Sequence, residues 1–402
     1  AGMLCVRMVS GEEVLRVGTE DRDLLLEGGL QLQHLHRALQ NKLGEGARFR
    51  LMTEEGEIVK DGAIMALPID LQLVVLPWAE TTADQVRLFL EAVRKNKAAK
   101  VQEILARPQD PDCGMDRTAL HVASKYGHLR VAKLLLQAGA DVDVRDSEGR
   151  GPLHAAAYFG KTKVAGLLLD HRAQLNLRDH NSSTPLLVAA KCNRFELVRL
   201  LLQAGADADM GYKDGIRLLH FSATSGNLEL ARLLLAARAS ADVRDDQGRS
   251  PLRAAAEVSP CSVEMIRELL EANADKDLRD CNGRSPLHFS ARSGDDVITK
   301  LLLSVSADTD VQDRDGRAPL HAAAKFSRAE TARLLLQAAA NANLTDGEGR
   351  TPLHAAAKGN AVGIARLLLS FNADQKLLDR AGNSALQLAS FFGQAEVAHL
   401  LV

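Results

Sequence analysis

One phrase returns through the chain at a fixed spacing, and that spacing decides what the chain can fold into. Its full form is Thr351-Pro352-Leu353-His354, followed by Ala355-Ala356-Ala357. Related copies stand at Gly151-Pro152-Leu153-His154, Thr184-Pro185-Leu186, Ser285-Pro286-Leu287-His288 and Ala318-Pro319-Leu320-His321. The slot of His354 recurs at His121, His154, Leu187, His220, Arg253, His288, His321 and Gln387. Every step is 33 residues except the 35 between Arg253 and His288. A unit of this length cannot bury a core alone. It must stack on copies of itself, one helical supersecondary element per repeat.

Each part of the unit has a physical task. Ser or Thr before Pro reads as a helix N-cap, and Pro occupies the first turn, where its missing N–H costs nothing. The Leu and the Ala run give a narrow helix that lets neighbours approach closely. Leu-Leu-Leu, as at Leu134 to Leu136 and Leu367 to Leu369, marks a second helix. Ala-Gly-Ala-Asp follows, as at Ala138 to Asp141, and its Gly suits the left-handed conformation that ends a helix. Asp-x-x-Gly-Arg, as at Asp146 to Arg150, closes a turn projecting from the helices.

These residues resemble the ankyrin-repeat family over 81–402, with about nine repeats in 117–402 and a degenerate N-terminal cap in 82–116. The resemblance implies two antiparallel helices with a hairpin finger at right angles, and a curved stack whose concave face is built from fingers and first helices. The fold class expected is mainly α, an ankyrin-repeat helical solenoid. Some units depart from the pattern. The helix-ending Gly stands at Gly139 and Gly205 but is replaced by Arg172, Arg238, Asn273, Ser306, Ala339 and Asn372. Asn tolerates the left-handed region; the others should cost about 1 kcal/mol each. Two extra residues around Val258 to Ser262, with Pro260, belong in a loop between helices, and Met210-Gly211-Tyr212 should give an unlike finger.

Residues 1–80 read differently. Leu4, Val6 and Met8 alternate, Ser10-Gly11 is a turn, and Val14 to Val17 forms a second strand. Leu32, Leu35, Leu39 and Leu43 recur at helical spacing, and strands follow at Phe49 to Thr53 and Leu71 to Val75. The hairpin, the Arg50-Leu51-Met52 strand, Val59-Lys60-Asp61-Gly62 and Leu71-Gln72-Leu73-Val74 resemble a ubiquitin-like β-grasp domain of the small α+β kind. That family docks partners through an apolar patch on its sheet, and Met52 and Val74 match two of its positions. Conjugation is not implied, because the chain runs on through Pro77-Trp78.

Composition narrows the chemistry. The 402 residues are 46% hydrophobic but only 3% aromatic, and the formal charge of −2 points neither to nucleic acid nor to an acidic tail. The five cysteines Cys5, Cys113, Cys192, Cys261 and Cys281 form no Cys-x-x-Cys pair, so free thiols in a reducing cytoplasmic or nuclear setting are expected. No apolar run approaches the ~20 residues of a membrane span, and no secretion signal opens the chain. Phosphate-loop, dinucleotide and nucleophile-elbow motifs are absent. The repeat histidines recur with the fold and read as structural residues near helix starts. No cofactor, metal or catalytic residue is expected. Asn176 and Asn343 hold the finger-entry position that is sometimes hydroxylated in ankyrin proteins, though a plain turn bond suffices to explain them.

What varies between copies then carries function. Arg117, Arg150, Arg249, Arg284, Arg317 and Arg350 follow the fingers, and Lys125, Tyr158, Lys191, Thr224, Glu257, Arg292, Lys325, Lys358 and Phe391 share a slot near the end of the first helix. The next slot holds Tyr126, Phe159, Cys192, Ser225, Ser293, Phe326 and Phe392, and both rows are richer in basic and aromatic residues than the chain as a whole. Basic and aromatic residues in alternation are the composition of interaction hot spots. Two clusters stand out: Arg117, Lys125, Tyr126, Arg150, Tyr158, Phe159 and Lys191; then Lys325, Phe326, Lys358, Phe391 and Phe392. The reading is a non-enzymatic adaptor that binds an acidic protein or peptide on its concave face, beside a ubiquitin-like module. Nucleic-acid binding through the same basic face is the alternative, and Arg–Asp ion pairs local to each finger are the structural explanation of the arginine row.

Overall fold

The computed structural model describes seven short strands before residue 82, by their backbone, and residues 82–402 apart from 107–109, 115, 213 and 259–262. The chain divides into two compact units, residues 1–89 with 99–113, and residues 90–98 with 114–402.

In the first unit, β1 (Leu4–Met8), β2 (Glu13–Val17), β5 (Arg50–Thr53) and β7 (Ile69–Val74) form one sheet in the order β2-β1-β7-β5. The β1–β2 and β5–β7 pairs are antiparallel, and β1–β7 is parallel. A second sheet joins β3 (Leu25–Leu26), β4 (Gly29–Gln31) and β6 (Ile64–Met65) in the order β3-β4-β6. These three strands were not foreseen from the alternation pattern, which is too short to read in segments of two or three residues. The helix expected over Leu32 to Leu43 lies outside the described residues. Met52 pairs with Gln72 and Arg50 with Val74, so positions 52 and 74 share one face of the sheet by parity.

From residue 119 to 401, nine helix pairs follow one another. First helices run Ala119–Tyr126, Pro152–Phe159, Pro185–Lys191, Leu218–Ser225, Pro251–Glu257, Pro286–Ser293, Pro319–Lys325, Pro352–Lys358 and Ala385–Phe391. Second helices run Leu129–Gln137, Thr162–Asp170, Phe195–Gln203, Leu228–Ala236, Val263–Glu271, Asp296–Ser304, Ala329–Gln337, Val362–Ser370 and Ala395–Leu401. First helices pack on the first helices of neighbouring units and second helices on second. The repeat period therefore becomes a stacking period.

Burial follows the phrase. In Pro352–Lys358, Leu353, Ala356 and Ala357 are fully buried, and the small Ala side chains let successive first helices come close. Of each Leu triplet the middle residue is always interior: Leu135, Leu168, Leu201, Leu234, Leu302, Leu335 and Leu368 are at 0% exposure, as is Leu269 of the Glu268-Leu269-Leu270 segment that stands in the same slot. Each contributes about 1.5–3 kcal/mol of transfer free energy. A residue interior on one helix is thus the floor of the groove that the next helix fills.

Three left-handed backbone positions punctuate a unit, of which the sequence pattern exposed only one. In the first unit they are Gly127 after the first helix, Gly139 after the second and Gly149 in the finger. The residues that replace the Gly139 slot do adopt it: φ is 63° at Arg172, 63° at Arg238, 61° at Asn273, 59° at Ser306, 67° at Ala339 and 60° at Asn372. Asn193, Ser327 and Asn360 do the same after first helices, and Ser182 in a finger.

The fingers close around their aspartates. Asp146 accepts hydrogen bonds from the backbone N–H of Glu148 (3.0 Å) and Arg150 (2.9 Å), and Gly149 donates back to the Asp146 carbonyl at 2.8 Å. The odd finger keeps the turn without the carboxylate. Tyr212 occupies the aspartate slot and pairs only by backbone, donating to Ile216 at 2.9 Å. In the two-residue insertion, Pro251–Glu257 ends at Val258 in extended conformation; residues 259–262 lie outside the described residues.

Candidate interaction surface

The repeat histidines are the natural suspects for chemistry, and their bonding removes them. His354 accepts the Thr351 N–H on Nδ1 at 3.1 Å and donates from Nε2 to the Asn383 carbonyl at 3.1 Å. His154, His288 and His321 do the same with the carbonyls of Ser183, Arg317 and Arg350, each at 3.0 Å, and His220 bonds Arg249 at 2.6 Å. His121 reaches the Arg150 carbonyl at 2.9 Å. An Nδ1 that accepts a backbone N–H fixes the neutral Nε2–H tautomer. Burial pushes all six imidazoles below the ordinary histidine range, against the pull of the carbonyl bond and nearby aspartates. Each histidine therefore ties one repeat to the next, a longer reach than the local bond that its position near a helix start implied.

The same bonds correct the N-cap reading. The Thr184 and Ser250 hydroxyls cap the N–H groups of Leu187 and Arg253, in units whose slot lacks His. Where His is present, the Thr351 hydroxyl turns to Nδ1 at 2.9 Å and caps no helical N–H.

Arg253 shows what the slot does without histidine. Its guanidinium is buried, lies 3.9 Å from the Phe289 ring centre, and pairs with Glu257 at 2.5 Å and Asp280 at 3.4 Å. Its Nε has no hydrogen-bond partner.

The finger arginines are largely spent within the fold. Arg150 pairs with Asp146 at 3.0 Å and Glu148 at 2.8 Å; Arg117 lies 3.7 Å from Asp146; Arg350 pairs with Asp346 at 3.0 Å and Glu348 at 2.7 Å. Arg249, Arg284 and Arg317 likewise meet Asp245, Asp313 and Asp315. Backbone N–H bonds and the arginine hold the Asp146, Asp245 and Asp346 carboxyls below the usual range despite their desolvation. Arg117 and Arg150 thus meet on one carboxylate.

The lysine and aromatic rows are arranged differently. The Lys125 Nζ lies 5.4 Å from the Tyr126 ring centre and 5.3 Å from that of Phe159, in the next unit. Arg292 and Lys358 repeat this across units, at 5.4 Å from Phe326 and 5.1 Å from Phe392, and Lys325 stands 5.6 Å from Phe326. Tyr158 packs edge-on to Phe159 at 4.8 Å, and Phe391 to Phe392 at 5.1 Å. The offset is 34 residues, one repeat plus one, because the last turn of a first helix faces the following slot of the next. Tyr126, Tyr158, Phe159, Phe326, Phe391 and Phe392 are exposed, Tyr158 at 55% and Phe391 at 82%. No carboxylate lies within ion-pair distance of Lys125, Lys191, Lys325 or Lys358 among the described residues.

So the first cluster forms two subsets, Arg117 with Arg150, and Lys125 with Tyr126, Tyr158 and Phe159. Lys191 turns instead to Tyr212, 4.3 Å from the ring centre. Tyr212 was read only as a finger irregularity; a Tyr in an aspartate slot, beside a lysine row, is the signal. Its hydroxyl is buried without a partner, and burial pushes it up to about 12. The Asn176 and Asn343 side chains accept the N–H groups of Asp207 (3.1 Å) and Asp374 (2.8 Å), one repeat along. Cys192 and Cys281 are free thiols, and the described residues contain no cluster of three potential metal ligands. No described helix is long and apolar enough to cross a membrane.

Comparison with known proteins agrees with the stacked pairs. A 69-residue stretch is 42% identical to E3 ubiquitin-protein ligase MIB2 of Gallus gallus, covering 17% of this chain and 7% of that protein. The match is therefore confined to a small part of a much longer relative. The family model for ankyrin repeats (three copies) matches residues 89–179, 139–214, 186–280, 259–346 and 338–402, and the chain belongs to the ankyrin-repeat family.

Proposed function

We propose that this chain is a non-enzymatic adaptor that binds an acidic protein or peptide through the ends of its first helices, on the concave side of the stack. The repeats give it a protein–protein interaction role; the partner's chemistry is our inference. One observation carries it: the finger arginines are paired with finger carboxylates, whereas Lys125, Lys325 and Lys358 sit over exposed rings and Lys191 over the half-buried Tyr212, with no acid within ion-pair distance of these four among the described residues. Cations with aromatic neighbours and no internal counter-ion favour carboxylates and suit hot-spot packing. Lys125, Tyr126, Tyr158 and Phe159 form the centre, with Arg117, Arg150 and Lys191 around it; Lys325, Phe326, Lys358, Phe391 and Phe392 form a second contact zone.

For residues 1–80 we propose a ubiquitin-like module that docks a second factor through the face of Met52 and Val74. The β2-β1-β7-β5 order with β1 parallel to β7 supports this. The test of the main surface is affinity capture with the full chain, wild type against Y126A/Y158A/F159A, read by quantitative mass spectrometry. The dominant captured protein should be acidic and should be lost from the variant. Unchanged capture would refute the site. Capture that disappears on nuclease treatment and falls steeply with salt would replace the acidic protein with nucleic acid.

A further inference from the structure

The second helices carry a repeating charge pattern that turns basic in the first two units. Their fifth position holds Lys133, Arg199, Arg232, Arg267, Lys300, Arg333 and Arg366, with His399 in the last helix, but Gly166 in the helix Thr162–Asp170. Their second position is Glu196, Glu229, Glu264, Glu330 and Glu396 in five units and the uncharged Val297 and Gly363 in two, and it becomes basic only in the first two, as Arg130 and Lys163. Where Glu and Arg coexist they can pair within a helix, as Arg333 does with Glu330 at 3.2 Å. In the first two units that acid is gone. Arg130, Lys133 and Lys163 are exposed, and none has a carboxylate within ion-pair distance among the described residues.

The missing side chain at Gly166 opens a notch of about 410 Å³ between the helices Leu129–Gln137 and Thr162–Asp170. Leu129 and Leu167 line it, Lys133 and Lys163 flank it, and Asp170 closes its end. Leu129 is 41% exposed. A Cβ built on Gly166 would meet nothing within 4 Å. Packing therefore does not require glycine, which is the least favourable helix-interior residue after proline.

We propose that this notch is a second docking site, taking an apolar side chain of an acidic peptide segment. Leu129 and Leu167 give the anchor its apolar contact. Lys133, Lys163 and Arg130 meet Asp or Glu residues on either side of it, and Asp170 sets the direction by repelling acid at its own end. The site lies on second helices and is independent of the first-helix surface proposed above.

The probe is a displayed library of random peptides rich in Asp and Glu, selected on the full chain, with an Asn/Gln-rich library as its counterpart. Enriched peptides should carry Leu or an aromatic residue flanked by acids. By fluorescence polarisation they should lose at least about tenfold in affinity to G166R and to K133E/K163E, and nothing to Y158A/F159A. G166R restores the row's usual residue and should melt no lower than wild type, so lost binding would not be lost folding. Enriched peptides that bind G166R as tightly as wild type, or no enrichment over the Asn/Gln library, would overturn the proposal. Peptides lost only to Y158A/F159A would do the same while leaving the first-helix surface intact.

Discussion

Arg238 and Ala339 test whether the left-handed residues after second helices carry strain that nothing else repays. Both have positive φ, 63° and 67°, and both are exposed. No ion pair or side-chain hydrogen bond of Arg238 would be lost on truncation. At the glycines of the same slot, Gly139 and Gly205, an added Cβ would meet no atom within 4 Å. The cost is therefore intrinsic, the Cβ crowding its own carbonyl, and amounts to about 1–2 kcal/mol for an L-residue. Glycine returns some of this through the freedom it loses on folding, roughly 0.5–1 kcal/mol. R238G and A339G should each stabilise by about 0.5–1 kcal/mol. The two sites are several repeats apart, so their effects should add. N273G and N372G should gain less, because Asn already tolerates this region. The assay is urea unfolding at pH 7.5 with circular dichroism, comparing single variants and the double. Destabilisation by R238G and A339G, or equal gains at the Asn and non-Asn sites, would show that the backbone conformation is not the source of the cost.

Most of the repeat architecture was legible because its parts are local. Pro at the first turn, the Ala run, the Leu triplet and the Asp-x-x-Gly turn each act within a few residues, and the period multiplies the signal. The legible part stopped where partners lie a repeat away. His354 was placed correctly as structural, but its bond to the Asn383 carbonyl needs the stack to exist. The left-handed slots of Asn193, Ser327 and Asn360 were missed although Gly127, Gly160, Gly226, Gly294 and Gly393 mark the same slot in other units, because the sequence reading followed the glycine after the second helix and not the one after the first. In the candidate surface, the residue types were readable and their charge state was not. Arg117 and Lys125 look alike in sequence; only the finger geometry shows that one shares Asp146 and the other faces rings.

Acid should loosen the array through the histidines. Their folded-state pKa values are depressed, so the unfolded chain binds more protons as pH falls; their contribution is complete above about 6.5 and is lost as pH drops through the folded values. Each can contribute a slope of up to about 1.4 kcal/mol per pH unit, and the finger aspartates, whose pKa values are also lowered, do not add to it until far lower pH. Urea midpoints should fall between pH 7 and 5, and H321Q/H354Q should flatten the dependence; an unchanged slope would remove the histidines as its source. Two finger glycines separate strain from collision. G316A places a Cβ 2.6 Å from the Gly347 backbone nitrogen at φ +76°, whereas at Gly382, φ +80°, it meets nothing. G382A should cost about 1–2 kcal/mol from strain alone, and G316A should cost more; equal losses would mean that the finger shifts freely. Arg253 offers the sharpest comparison. Removing it leaves Asp280, whose side chain is 2% exposed, without its cation, and breaking a buried pair costs up to about 3–5 kcal/mol. Asp280 still accepts the N–H groups of Asn282 (2.8 Å) and Arg284 (2.9 Å), which keeps its charge solvated and lowers the expected loss for R253A to about 2–3 kcal/mol. Histidine at the same position can take up the pair of bonds made in five other units, accepting the N–H at Ser250 and donating to a carbonyl one repeat on. R253H should therefore lose less than R253A by urea unfolding, despite surrendering the same ion pairs. If both variants lose equally, the slot is held by the charge of Arg253 and not by a hydrogen-bonded tie between repeats.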